Sequence, residues 1–330
     1  GFIGRHLVAA LIKAGATVTA LGRGRHRAAA LAGLQVRMIS GDMADPQAMA
    51  VAVAGQRVIF NLAYDFRASG QANVDGLNCL LMAAQSARCG RIVHASSIVV
   101  YDDWPGGAIT ETSPVNRPGG SPYRRAKIAM ERRLMAGPLP AAIVQPTIVY
   151  GPGSSMWTDG FAEALRSGAV VLPDPEGLCQ GVFVDDVVQG MLLAAVVPDL
   201  RQERFILNGP APFKWSDLVG GYRDILGRGE VRFRPSAELA PAVAHADEAP
   251  SEVEQGPSAA ARISALGRRV LGRERFEGLV RAVKRRLKPG GEMRPDAHLY
   301  ELYTASGECP PDLARQKLGY APQYDLAKGL

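Results

Sequence analysis

GFIGRHLVAALIKAGATVTALGR, residues Gly1–Arg23, is the stretch that decides the fold. Gly1-Phe2-Ile3-Gly4 runs straight into an apolar-periodic helical pattern, and Thr17–Leu21 follows as a β-branched run. A glycine turn lets backbone approach a pyrophosphate, and the helix behind it offers free N–H groups and a positive dipole. Two glycines alone are weak. The strand at Thr17–Leu21, placed where the second strand of a dinucleotide-binding unit belongs, strengthens them. In that order the first strand of the sheet and the first loop glycine are expected before Gly1, absent here by truncation. Loss of a central strand removes ladder partners, so such a chain is expected to be less stable than a longer one.

Outward from this unit, Val36–Ile39, Arg57–Leu62, Arg91–Ala95 and Ala141–Val144 read as further strands. Helical patterns lie between, at Arg5–Ala14, Arg25–Leu31, Pro46–Val53, Gln71–Arg88 and Tyr123–Met135. Alternation of this kind, with right-handed crossovers, predicts an α/β fold with a doubly wound parallel Rossmann sheet. Residues 1–152 form the dinucleotide-binding part, with 178–208 returning to it, and 153–330 form mostly a smaller substrate-binding domain. Within the latter, Phe161–Arg166, Asp185–Val196 and Trp215–Leu226 read as helices and Arg204–Leu207 as a strand. Pro235–Pro257 reads as a linker. It leads into a basic helical insertion, 259–288, with ten Arg/Lys against Glu274 and Glu277. Only Phe276 interrupts those charges with a ring, so a solvated helix face is favoured over nucleic acid.

Composition excludes several classes. With 47% hydrophobic and 21% charged residues, a 330-residue chain can bury a large core. No apolar run reaches the ~18 residues that span a bilayer. Four scattered cysteines and five scattered histidines argue against a disulfide framework or a metal site, and fit a reducing cytoplasm.

Chemistry concentrates at three places. After the second strand stand Gly22 and Arg23, with Arg25 and Arg27 behind. An NAD binder places a carboxylate there for the ribose 2′-OH; a guanidinium suits a 2′-phosphate, so NADP is expected, with NAD as the alternative. Asp42, at the tip of the third strand, can bond the adenine amine or form the turn. Tyr123-x-x-x-Lys127 puts a phenol and an ammonium on one helix face, where the cation favours the phenolate. Ser97 lies just past Arg91–Ala95, at the carboxyl edge where doubly wound sheets bind ligands, and can hold a substrate carbonyl. Asn73 can orient a nearby backbone group or start a helix.

These elements, in this order, resemble the extended short-chain dehydrogenases/reductases of the NAD-dependent epimerase/dehydratase family. The resemblance runs through Gly1–Gly4, Gly41-Asp42, Asn61-Leu62-Ala63, Asn73–Gly76, Ser96–Tyr101 and Ser121-Pro122-Tyr123 to Lys127. It continues through Pro146-Thr147, Tyr150–Gly153, Val184–Asp186 and Leu318–Pro322. It implies Tyr123 as acid/base, Lys127 lowering its pKa and holding the nicotinamide ribose, and Ser97 orienting the substrate oxygen. Gly1, Phe2, Ile3, Gly4, Arg23, Asp42, Met43, Leu62, Ala63 and Pro146 would complete the cofactor site. A homodimer through Gln71–Arg88 and Tyr123–Met135 is implied by the same analogy.

Departures narrow the activity. Dehydratases of the family carry an Asp-Glu pair after the catalytic Ser/Thr, where this chain has Ile98 and Val99. Sugar-nucleotide epimerases often place Asn at Ile148 and a diphosphate-gripping Arg at Cys179. The favoured function is an NAD(P)-dependent oxidoreductase moving a hydride at a secondary alcohol or ketone carbon. A nucleotide-sugar epimerase with retained cofactor is the alternative, and a non-catalytic dinucleotide-binding scaffold the third reading. The partner is then a small molecule, a sugar nucleotide or another hydroxyl or ketone compound.

Overall fold

The β-branched runs of this chain form parallel strands, most deeply buried at the centre of the sheet. The computed structural model describes residues 1–23, 31, 33–240 and 291–330. The basic stretch 259–288, the linker from 241 onward, and the helix expected at Arg25–Leu31 (residue 31 apart) lie outside the described residues. Strands β1 (Val18–Gly22) and β2 (Val36–Ser40) pair in parallel, Val18 opposite Val36. A four-stranded parallel sheet runs in the order Gln202–Leu207, β5 (Ala141–Pro146), β4 (Arg91–Ala95), β3 (Val58–Asn61). Every residue of β5 is buried, as expected for a central parallel strand.

Helices cover both faces, as the alternating pattern requires. Val93, Ala95, Val144 and Phe205 pack with Leu7 of the helix Phe2–Lys13 and with Val187, Val188 and Met191 of Val184–Val196. On the other face Ile92, Ile143 and Ala141 meet Met49, Leu77, Leu80 and Met130, from the helices Pro46–Val53, Gly70–Ser86 and Pro122–Met135. Their starts are fixed chemically. Asp45 accepts from the Gln47 and Ala48 amides, Ser69 from Ala72, and Ser121 from Arg124, with Pro46 and Pro122 opening their helices. Gly41 is required by close approach: a Cβ there would lie 2.5 Å from the Ala48 Cβ.

The chain divides into two compact units, Gly1–Trp157 with Cys179–Phe213 and Ser306–Leu330, and Thr158–Leu178 with Lys214–Ala305. The first differs from the expected boundary in claiming the tail. Ala314, Leu318 and Tyr320 enter the sheet core, and the buried Asp186 carboxylate accepts from the Gln323 and Tyr324 amides. In the second unit a three-stranded parallel sheet runs Glu230–Pro235, Gly168–Asp174, Gly291–Met293. The helices Asp159–Ser167, Trp215–Leu226 and Ala297–Thr304 belong to the same unit. Among the described residues, no helix is long and apolar enough to cross a membrane.

The Tyr320 hydroxyl, itself buried, donates to the Asn208 carbonyl at 2.9 Å. Tyr320→Phe is expected to lower unfolding stability by about 1–3 kcal/mol, because a buried acceptor loses its donor. Urea denaturation at neutral pH measures this; an unchanged midpoint would show that the bond contributes nothing.

Candidate functional site

β4 ends at Ala95, and the next two residues turn the chain away from the sheet. Ser96 is buried, while Ser97 is extended and caps the short helical turn Ile98–Val100 by accepting from the Val99 amide. Ser121 and Pro122 start the facing helix, so Tyr123 sits in its first turn and Lys127 one turn later, on the same face. This brings three of the expected residues together. Ser97 lies close enough to the Tyr123 phenol to act downward on its pKa. Lys127, only 3% exposed, donates to the Ala95 carbonyl at 2.7 Å, and its ammonium lies 5.6 Å from the Tyr123 ring centre.

Two aromatic residues not singled out from the sequence complete this corner. The Tyr64 ring meets Tyr123 edge-on at 4.8 Å and lies 5.3 Å from the Lys127 ammonium. The Phe66 ring stacks on Tyr123 at 5.4 Å while remaining 78% exposed. Their signal in the sequence is faint: an aromatic pair a few residues past a strand end.

Burial dominates the electrostatics. It pushes the Tyr123 phenol up to about 12, against the lowering effect of Ser97. The lowering expected from Lys127 is not among the causes acting on the phenol; that ammonium bonds the Ala95 carbonyl. Burial brings Lys127 itself down to about 8, with the Glu131 carboxylate acting upward. His94, fully enclosed on β4, falls well below the usual imidazole range through burial and the charge of Lys127. It stays neutral and meets the Asn61 amide at 3.1 Å.

Of the expected cofactor residues, Arg23, Asp42, Met43, Leu62, Ala63 and Pro146 lie at or just past the ends of parallel strands. Gly1 precedes the helix Phe2–Lys13, and a Cβ on Gly1 or Gly4 would meet nothing within 4 Å. Ile3 and Leu62 pack against the sheet core, Met43 against Gly76, and Pro146 closes β5. The Ala63 amide donates to Asn61. Arg23 is engaged already: its guanidinium lies 2.5 Å from Asp65 and 3.4 Å from Asp42. Both carboxylates raise the Arg23 pKa, and Arg23 holds Asp65 below the usual carboxylate range. Asp42 also accepts from the Ala44 amide, so it forms the turn as well. Asn73 braces the loop between them, accepting from the Asp65 amide at 2.7 Å and donating to the Asp65 and Ser69 carbonyls. Arg25 and Arg27 lie outside the described residues. No group of three or more metal-ligating side chains occurs among the described residues.

The depressed Lys127 pKa has a sign that can be measured. Below about 8 the group is charged in both the folded and unfolded chain and folding bears the full desolvation cost. Between about 8 and the ordinary lysine range the folded chain binds fewer protons, so stability rises with pH. Lys127→Met should remove that rise; equal pH–stability slopes for the two proteins would show that Lys127 is not desolvated.

Residues 1–208 match the family described as NAD dependent epimerase/dehydratase family. A 2-alkyl-3-oxoalkanoate reductase of Stenotrophomonas maltophilia (strain K279a) is 29% identical over 233 residues, covering 65% of this chain and 70% of that protein. A 4-hydroxy-2-methyl-3-oxo-4-farnesyl-3,4-dihydroquinoline-1-oxide ketoreductase of Stigmatella aurantiaca is also 29% identical, over 206 residues, 59% of this chain and 62% of that protein. The fold is shared with the dTDP-glucose 4,6-dehydratase DesIV double mutant of Streptomyces venezuelae, solved with NAD and DAU bound. Its TM-score is 0.67 at 22% identity, covering 100% of this chain and 91% of that one. With the match extending over residues 1–208, the chain belongs to the NAD-dependent epimerase/dehydratase family.

Proposed function

We propose that the protein is an NADP-linked ketone reductase in which Tyr123 delivers the proton. The observation that carries this reading is the buried Lys127, bonded to the Ala95 carbonyl at the carboxyl edge of the sheet and 5.6 Å from the Tyr123 ring, with Ser97 acting on the phenol. A helix N-terminus with open space at Gly1 and Gly4, and a buried ammonium at the other end, are a donor set that fits dinucleotide phosphates and ribose hydroxyls. Bound NADPH would supply the hydride. Ser97 then holds the substrate carbonyl oxygen, and Tyr123 donates its proton to that oxygen as the carbon is reduced. A phenol raised to about 12 carries its proton at neutral pH, which suits reduction. The Lys127 charge would favour the phenolate left behind.

The surroundings support reductase over the family's other chemistries. Ile98 is buried in an apolar cluster with Val100, Ile109 and Ile206, so no acid pair follows Ser97. Cys179 is fully buried and Ile148 nearly so, which leaves neither position a diphosphate-gripping charge. The names of the two curated relatives, a reductase and a ketoreductase, support the same class. For the cofactor, Arg23 in place of a carboxylate after β1 supports NADP, the 2′-phosphate exchanging with Asp65 or Asp42 on the guanidinium. A homodimer through the helices Gly70–Ser86 and Pro122–Met135 is part of the reading, in keeping with Met82 and Met135 exposed on them.

A ketone panel with NADPH should give absorbance loss at the nicotinamide band in proportion to alcohol formed. Turnover with no net absorbance change would identify an epimerase instead. Tyr123→Phe should lower kcat by about 10²–10⁴-fold. Undiminished turnover would remove Tyr123 from the mechanism. Arg23→Ala should raise the NADPH dissociation constant more than the NADH one; equal changes would overturn the NADP assignment.

A further inference from the structure

Beneath the Tyr123–Lys127 face lies a carboxylate that the mechanism above does not use. Glu131 is one turn beyond Lys127 on the same helix and is 1% exposed. It is held from two strands and from the turn just past β4. One oxygen accepts from the Ser96 hydroxyl at 2.5 Å and from the Gln145 amide at 2.8 Å; the other accepts from the Arg204 guanidinium at 2.7 Å. The Tyr101 hydroxyl donates to the Gln145 carbonyl oxygen at 2.7 Å, which fixes the orientation of that amide. An ion pair this deeply buried contributes little to net stability, because desolvation offsets attraction. Its placement is more informative than its strength: Ser96 adjoins Ser97, and the helix it grips carries Tyr123 and Lys127.

We propose that Glu131 is the positioning residue of the reaction centre, tying the helix of Tyr123 and Lys127 to the strand end of Ser97 and supplying the anion that holds the Lys127 charge. The inference rests on the roles given to Tyr123 and Lys127 above. The groups facing the Lys127 ammonium support it. From its own helix come Tyr123 and Glu131; from β4, the Ala95 carbonyl and the neutral His94; from the loop after β3, Tyr64. Glu131 is the carboxylate among them, and it acts to keep the lysine proton on while burial acts to remove it. Arg204 faces Glu131 at 2.7 Å, so the carboxylate has a cation partner of its own.

The test uses Glu131→Gln, together with the double variant Glu131→Gln, Arg204→Met, which removes both charges if the single change does not fold. Two measurements are made on each: the pH profile of kcat/KM for carbonyl reduction, and the Lys127-dependent rise of stability with pH, taken as the difference from the same protein carrying Lys127→Met. Both should move to lower pH by about one unit, since losing an adjacent anion disfavours the charged lysine. A folded variant whose stability rise and alkaline limb stay in place would overturn the role of Glu131, even if its stability falls. Tyr123→Phe run in parallel separates the failures. If that protein stays fully active, the reading of Tyr123 fails; if it is inactive and the limb still does not move, only the inference about Glu131 fails.

Discussion

A lysine ammonium buried to 3% exposure, with a backbone carbonyl as its hydrogen-bond acceptor, constrains everything around it. A lone charge in such a place carries a desolvation cost of several kcal/mol unless neighbours offset it. The neighbours here are arranged accordingly. The sheet edge turns the Ala95 carbonyl toward the ammonium, two aromatic faces lie within about 6 Å, and a carboxylate waits one helical turn away. The helix Pro122–Met135 must therefore seat against β4 in one register. That register places the phenol of its first turn beside Ser97.

Much of this fold was legible because parallel strands advertise themselves as short β-branched runs between helical periods. β4 and the helices Pro46–Val53 and Trp215–Leu226 fall on the residues the pattern indicates. The second unit was harder. Gly168–Asp174 is almost wholly buried, so no alternation marks it, and it ends in Pro173-Asp174, which reads as turn. Glu230–Pro235 carries two arginines and flanks that strand at the edge, where charge hides a strand's signature.

At the site, the residues that local spacing can pair came together, and those paired only through the fold did not announce themselves. Tyr123 and Lys127 are four residues apart, and Ser97 follows a strand. By contrast, Arg23 and Asp65 come from different loops, and Glu131 meets Ser96 past the end of β4 and Gln145 and Arg204 on two other strands. Glu131 had one available cue, the same four-residue step beyond Lys127 that links Lys127 to Tyr123. The raised pKa of Tyr123 escapes the motif for a related reason: a motif shows which charge stands near, whereas the degree of enclosure is a property of the folded chain.

The first unit is discontinuous in the chain, and its sheet core includes Leu7 at one end and Tyr320 at the other. A ribosome making this protein releases the glycine turn and most of the strands long before it makes the residues that close their packing. Until Ala314, Leu318 and Tyr320 emerge, the apolar side chains along Val184–Val196 and Gln202–Leu207 lack part of their cover. The second unit, made in the interval, is inserted into an unfinished neighbour. Assembly of the first unit is thus tied to the synthesis of Ala314–Tyr320 rather than of its first strands, and the nascent chain spends that interval with exposed apolar surface of the kind chaperones bind.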